Sequence, residues 1–145
     1  MTRYRTEIAG EGLTVSVTGA TLPELFESAA YAVFDLSYDL RLMSPTYSRP
    51  LVAPGDDRRR LLVNWLNELI AESERSGIAF CLFMVDRLEE GGVQGSASGM
   101  PLVETVRRKQ LVLSVADAED PVPGEGGDDW SVAFTVTLGR PLRVV

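Results

Sequence analysis

The chain has 145 residues, 45% of them hydrophobic, a formal net charge of −7, no histidine and one cysteine, Cys81. That length supports one domain able to remove about two-thirds of its unfolded surface from water, so neither disulfide nor metal staple is required. Without histidine there is no imidazole acid–base chemistry, no Ser-His-Asp or Cys-His nucleophile and no histidine-ligated zinc, and the acidic balance argues against wrapping nucleic acid, which depends on neutralising many phosphates.

Arg3 and Arg5 near the start are followed by no apolar stretch, and nowhere do about eighteen apolar residues run together, so neither export nor a membrane span is expected. Cys81 lies inside an apolar run and reads as a small buried hydrophobe, which fits a reducing, cytoplasmic setting.

Arg3 to Ile8 reads as a first strand and Gly10-Glu11-Gly12 as a turn. Leu13, Val15 and Val17 then alternate with Thr14, Ser16 and Thr18 as a half-buried partner strand. Thr21-Leu22-Pro23-Glu24 opens a helix: Thr21 caps the free N–H groups, Glu24 completes the capping box, and Pro23 is tolerated in the first turn. Leu25, Phe26, Ala29, Ala30, Val33 and Phe34 form its apolar stripe, with the two alanines allowing close approach to a sheet. Asp35 and Asp39, four apart, read either as a carboxylate pair on one helix face or as a solvated helix end. Met43 to Arg49 reads as a loop, Arg49 to Ala53 as an edge strand that tolerates Pro50, and Pro54-Gly55-Asp56 as a turn.

Asp56 or Asp57 caps a long second helix in which Leu62, Trp65, Leu66, Leu69 and Ile70 recur at helical spacing. Arg58, Arg59 and Arg60 sit against the positive end of its dipole, as a solvated helix start or as a contact for phosphate or an acidic partner. Gly77 ends the helix, and the apolar run Ile78 to Val85 predicts a central strand. A hairpin connection over Asp86 to Gly92, a small-residue strand over Val93 to Ser98, a break at Gly99-Met100-Pro101 and a short element over Leu102 to Val106 follow. Arg107, Arg108 and Lys109 make a second basic cluster that would touch RNA phosphate if it converged with the first. Leu111 to Val115 is a strand, residues 116–129 an acidic loop, and Trp130 to Leu138 a strand of clean period two, before a tail over residues 139–145. No glycine-rich phosphate loop is present, so no nucleotide site is expected.

Two blocks resemble the archease family. Thr21-Leu22-Pro23-Glu24-Leu25-Phe26-Glu27-Ser28-Ala29-Ala30, with Phe34-Asp35-Leu36 and Asp39-Leu40, is similar to that family's first helix. Leu61-Leu62-Val63-Asn64-Trp65-Leu66-Asn67-Glu68-Leu69-Ile70, followed by Gly77-Ile78-Ala79-Phe80, is similar to its second helix and next strand, and Gly99-Met100-Pro101 stands where it has a glycine, acidic residue, proline turn. The resemblance implies a compact two-layer α+β domain over residues 1–145, with two main helices on a mostly antiparallel sheet. It also implies a non-enzymatic accessory protein that supports a 3′-phosphate RNA ligase in tRNA splicing or RNA repair, without stable nucleic-acid binding or a membrane.

Archeases open with an Asp-His-Thr-Ala-Asp run whose second aspartate helps hold a divalent metal. The matching region here is Glu7-Ile8-Ala9-Gly10-Glu11-Gly12, so Glu11 and Asp39 are the carboxylates the resemblance assigns to such an ion, calcium being the expected one. The family's late Lys-Ala-Val-Thr-Tyr-His block corresponds to Arg107-Arg108-Lys109-Gln110-Leu111-Val112, where the histidine is gone, and its terminal-strand aspartate corresponds to Thr135. These departures imply an alternative role, a binding or structural module that has lost metal binding and ligase activation. An enzyme built on Asp35 and Asp39 lacks any substrate-directed feature beside them.

Overall fold

The computed structural model describes residues 4–10, 12–105, 111–124 and 129–139. In chain order the elements are β1 (Tyr4–Ala9), β2 (Gly12–Gly19), α1 (Leu22–Ser37), a 3-10 turn (Leu40–Leu42), β3 (Tyr47–Gly55), α2 (Arg58–Ser76), β4 (Ile78–Glu89) and β5 (Gly91–Pro101). A second 3-10 turn (Leu102–Glu104), β6 (Leu111–Ala118), β7 (Val122–Pro123) and β8 (Trp130–Gly139) complete them. Every strand pair is antiparallel. The expected α+β class holds, with the strands divided between two sheets: β1-β2-β8-β6 with β7 also on β8, and β3-β5-β4.

Each helix touches both sheets. α1 lies on β2 and β4, and α2 on β3 and β6. Contact on two sides explains why α1 buries Ala32 beyond its predicted stripe of Leu25, Phe26, Ala29, Ala30, Val33 and Phe34. Its start is the capping box: the Glu24 N–H donates to Thr21 Oγ1 at 3.2 Å, and the Ala20 N–H to Glu24 Oε2 at 3.1 Å. In α2 the cap is Asp57, whose Oδ1 accepts the Arg60 N–H at 2.8 Å, and Gly77 closes the helix at φ +70°.

Leu62, Trp65, Leu66 and Leu69 are buried as the spacing of this helix requires, joined by Leu61, while Ile70 is partly buried. On its other flank Asn67 behaves like a piece of strand. Its Oδ1 accepts the Val115 N–H at 2.8 Å, and its Nδ2 donates to the Val115 carbonyl at 3.0 Å. Asn67→Ala leaves both groups of a half-buried backbone position unpaired, and a loss of about 2 kcal/mol in denaturant unfolding is expected.

The smaller sheet corrects several expectations. Ile78 to Val85 does not form a central strand; β4 is an edge, and the small-residue β5 lies between β3 and β4. The run reads as doubly buried because it is apolar throughout, yet Leu82 and Met84 are about half exposed on its outer side while Phe80 and Phe83 pack inward. β4 also extends through Glu89, leaving a tight turn at Glu90-Gly91, with Gly91 at φ +92°. Gly99-Met100-Pro101 is the end of β5 and not a break.

β3 begins at Tyr47, inside the expected loop, and carries Pro50 as an edge strand can. β6 and β7 take up part of the stretch read as an acidic loop. Residues 125–128 and 140–145, which include most of the expected tail, lie outside the described residues.

Candidate partner-contact site

The resemblance assigns an ion to the carboxylates Glu11 and Asp39. α1 continues to Ser37, so Asp35 is helical and Asp39 is not. The two therefore do not share a helix face. Asp35 Oδ2 accepts the Tyr4 hydroxyl at 2.5 Å, which fastens β1 to the end of α1. Asp39 caps the following 3-10 turn, its Oδ1 accepting the Arg41 N–H at 3.3 Å. The Arg41 guanidinium grips the same carboxylate twice, Nε to Oδ1 at 3.1 Å and Nη2 to Oδ2 at 3.2 Å. That hydrogen bond, then the charge of Asp39 and more weakly of Asp35, raises the Arg41 pKa above its ordinary value.

A hard divalent ion requires several oxygen donors converging on one point. Both oxygens of Asp39 already face a guanidinium, and Thr135 supplies only a neutral hydroxyl. Among the described residues no group of three or more His, Cys, Asp or Glu side chains is placed to hold an ion. Glu11 lies outside the described residues. The donors among the described residues do not by themselves fit a divalent metal.

The first basic cluster is largely committed within the chain. The Arg58 guanidinium lies over the Trp130 ring, 4.9 Å from its centroid, and Arg59 Nη1 contacts Asp117 Oδ1 at 3.2 Å. Together they seat the N-terminus of α2 on β8 and β6, each as an exposed contact of about 1 kcal/mol or less. Arg60 is exposed. Arg107, Arg108 and Lys109 lie outside the described residues. Sequence reasoning missed Trp130 and Asp117 as partners. One opens a strand and the other sits in what reads as a loop, so no local pattern pairs them with α2.

A broad cleft of about 800 Å³ runs over the larger sheet, with Ser16, Thr18 and Ser131 in its floor, Arg5 on one side and Glu119 and Asp120 on the other. It is the wet face that the alternation in β2 and β8 predicts. No described helix is long and apolar enough to cross a membrane.

The chain matches the Archease protein family (MTH1598/TM1083) over residues 13–115. It is 34% identical over 93 residues to protein archease of Methanosarcina barkeri, a stretch covering 64% of each chain. To protein archease of Methanothermobacter thermautotrophicus it is 33% identical over 100 residues, covering 67% of this chain and 71% of the relative. To that of Aeropyrum pernix it is 27% identical over 124 residues, covering 83% and 86%. In fold it resembles the solution structure of Methanobacterium thermoautotrophicum protein 1598, with a TM-score of 0.72, 22% sequence identity and coverage of 92% of this chain and 97% of that one. The family match takes in both helices and β3 to β5, while Glu11 and Thr135 fall on either side of it. Because the match spans well over half of the sequence and the fold agrees with it, the chain belongs to the Archease protein family.

Proposed function

We propose that the chain is a cytoplasmic accessory protein, not itself an enzyme, that supports an RNA ligase of the 3′-phosphate type in tRNA splicing or RNA repair by direct protein contact. The observation that carries the reading is the family match over residues 13–115, which contains the whole of the two-helix scaffold. Arg60 supports the contact: it is exposed, whereas Arg58 and Arg59 are held by Trp130 and Asp117. Arg107, Arg108 and Lys109 are the further basic residues assigned to this contact.

The test is multiple-turnover ligation and ligase guanylylation with and without the protein. Both are expected to rise in its presence, and Arg60→Glu is expected to raise the concentration needed for half the effect about tenfold, as reversal of a charge at an interface rim does. No enhancement by the unmodified protein removes the proposal.

A second reading is favoured by the Arg41–Asp39 pair: a binding or structural module on the archease scaffold that has lost metal binding and ligase activation. Calorimetric titration with calcium separates the two. A saturable site abolished by Glu11→Ala or Asp39→Ala counts against the second reading.

A further inference from the structure

Among the described residues the two sheets have four edges, and three of them carry devices that prevent another strand from pairing. β3 carries Pro50 and Pro54. β4 has two register shifts, and its Val85 N–H is taken by Glu27 Oε2 at 2.7 Å. β6 has two register shifts as well, its Val112 N–H donates to Ser37 Oγ at 2.9 Å, and Asn67 holds both groups of Val115. β1 is different. It pairs with β2 in unbroken register from Tyr4 to Ala9, contains no proline, and has no described strand on its far side. Arg5, Thr6, Glu7 and Ile8 are all exposed, Ile8 to 86%.

The strand is also complementary to itself. In a regular antiparallel pair of identical strands, facing residues must lie on the same side of the sheet, so the two-fold axis passes through a residue and not between two. An axis at Arg5 sets arginine against arginine, and an axis at Glu7 sets glutamate against glutamate. An axis at Thr6 sets Arg5 against Glu7 twice, Tyr4 against Ile8 twice and Thr6 against Thr6, all favourable cross-strand pairs.

We infer that β1 is a docking edge for β1 of a second copy of this chain, paired antiparallel about Thr6 so that two five-stranded sheets become one. The inference goes beyond the ligase reading and stands or falls separately from it.

The test is sedimentation velocity of the full chain across a concentration series. A concentration-dependent dimer is expected. Arg5→Glu and Glu7→Arg each place two like-charge pairs across the seam and are expected to raise the dimer dissociation constant about tenfold or more. The double exchange, Arg5→Glu with Glu7→Arg, restores opposite charges and is expected to return it to within about threefold of the starting value. Because a misfolded β1 is not rescued by a second charge change, recovery in the double exchange separates seam from scaffold. A monomer up to millimolar concentration, a dimer indifferent to the single reversals, or a double exchange that restores nothing overturns the inference.

Discussion

Trp65→Ala is expected to cost about 4 kcal/mol of unfolding free energy, read from urea denaturation followed by circular dichroism. The indole is fully buried, and it ties three elements together. It projects from α2, its Nε1–H donates to the Phe26 carbonyl of α1 at 3.3 Å, and its Cη2 stands 3.1 Å from where a Cβ on Gly95 of β5 would be. Truncation removes the transfer free energy of the ring and leaves a cavity that two helices and a strand cannot all collapse into at once. Trp65→Phe keeps much of the volume and loses the N–H, so a smaller cost of about 1 to 2 kcal/mol is expected. A cost below about 1 kcal/mol for the alanine variant would show that these elements are held together elsewhere.

That residue is also where local pattern served best. Helical spacing places Leu62, Trp65, Leu66, Leu69 and Ile70 on one face, and the first four are buried while Ile70 is partly so. The capping box at Thr21 and Glu24 and the glycine stop at Gly77 are equally local, because each involves groups within a few residues of one another. The rank of a strand in its sheet is not local. β4 opens with the unbroken apolar run Ile78 to Val85 but has one neighbour, while β5, with Gly95, Ala97 and Gly99 on its inner side, has two. Apolarity reports what a strand packs against, and backbone pairing decides where it sits. The same limit hid the second sheet, since nothing near β2 indicates that its partner is β8, at the other end of the chain.

The candidate site divides along the same line. Asp39 was legible as a carboxylate near a helix end, but not as the cap of a separate turn, because no glycine or proline marks the stop at Ser37. The roles of Arg58 and Arg59 depend on Trp130 and Asp117 and so belong to tertiary structure. Asn67 is the informative case. It lies in Trp65-Leu66-Asn67-Glu68-Leu69, a segment that carries the resemblance to archeases, and its grip on Val115 gives that segment a mechanical reason: α2 is pinned to the rim of the larger sheet. What the resemblance identified as kinship is at this position a fold-making contact, which is why it bears on scaffold more directly than on activity.

Gly99→Ala should be nearly as damaging as loss of the tryptophan, at about 3 kcal/mol or more, although it adds one methyl group. A Cβ there would stand 1.7 Å from the Ala79 carbonyl oxygen, 2.6 Å from its carbon and 2.8 Å from Phe80 Cα. These are backbone atoms, so no rotamer change relieves the overlap. Both close approaches lie beside register shifts of β4, Gly99 at the shift between Phe80 and Leu82 and Gly95 at the shift after Val85, where Met84 O would be 2.0 Å away. Relief requires the start of β4 to withdraw by more than about an ångström from close-packed surroundings. Ile78, Ala79 and Phe80 are buried there, and Ser73 Oγ donates to the Ile78 carbonyl at 2.6 Å, so the strain passes into the last turn of α2. Ser96→Ala, on the opposite side of the same strand, is the control and should change stability by no more than about 0.5 kcal/mol. A Gly99→Ala protein that melts with the unmodified chain would mean that the backbone of Ala79 and Phe80 does not approach position 99 this closely, and that packing of β4 on β5 would have to be abandoned.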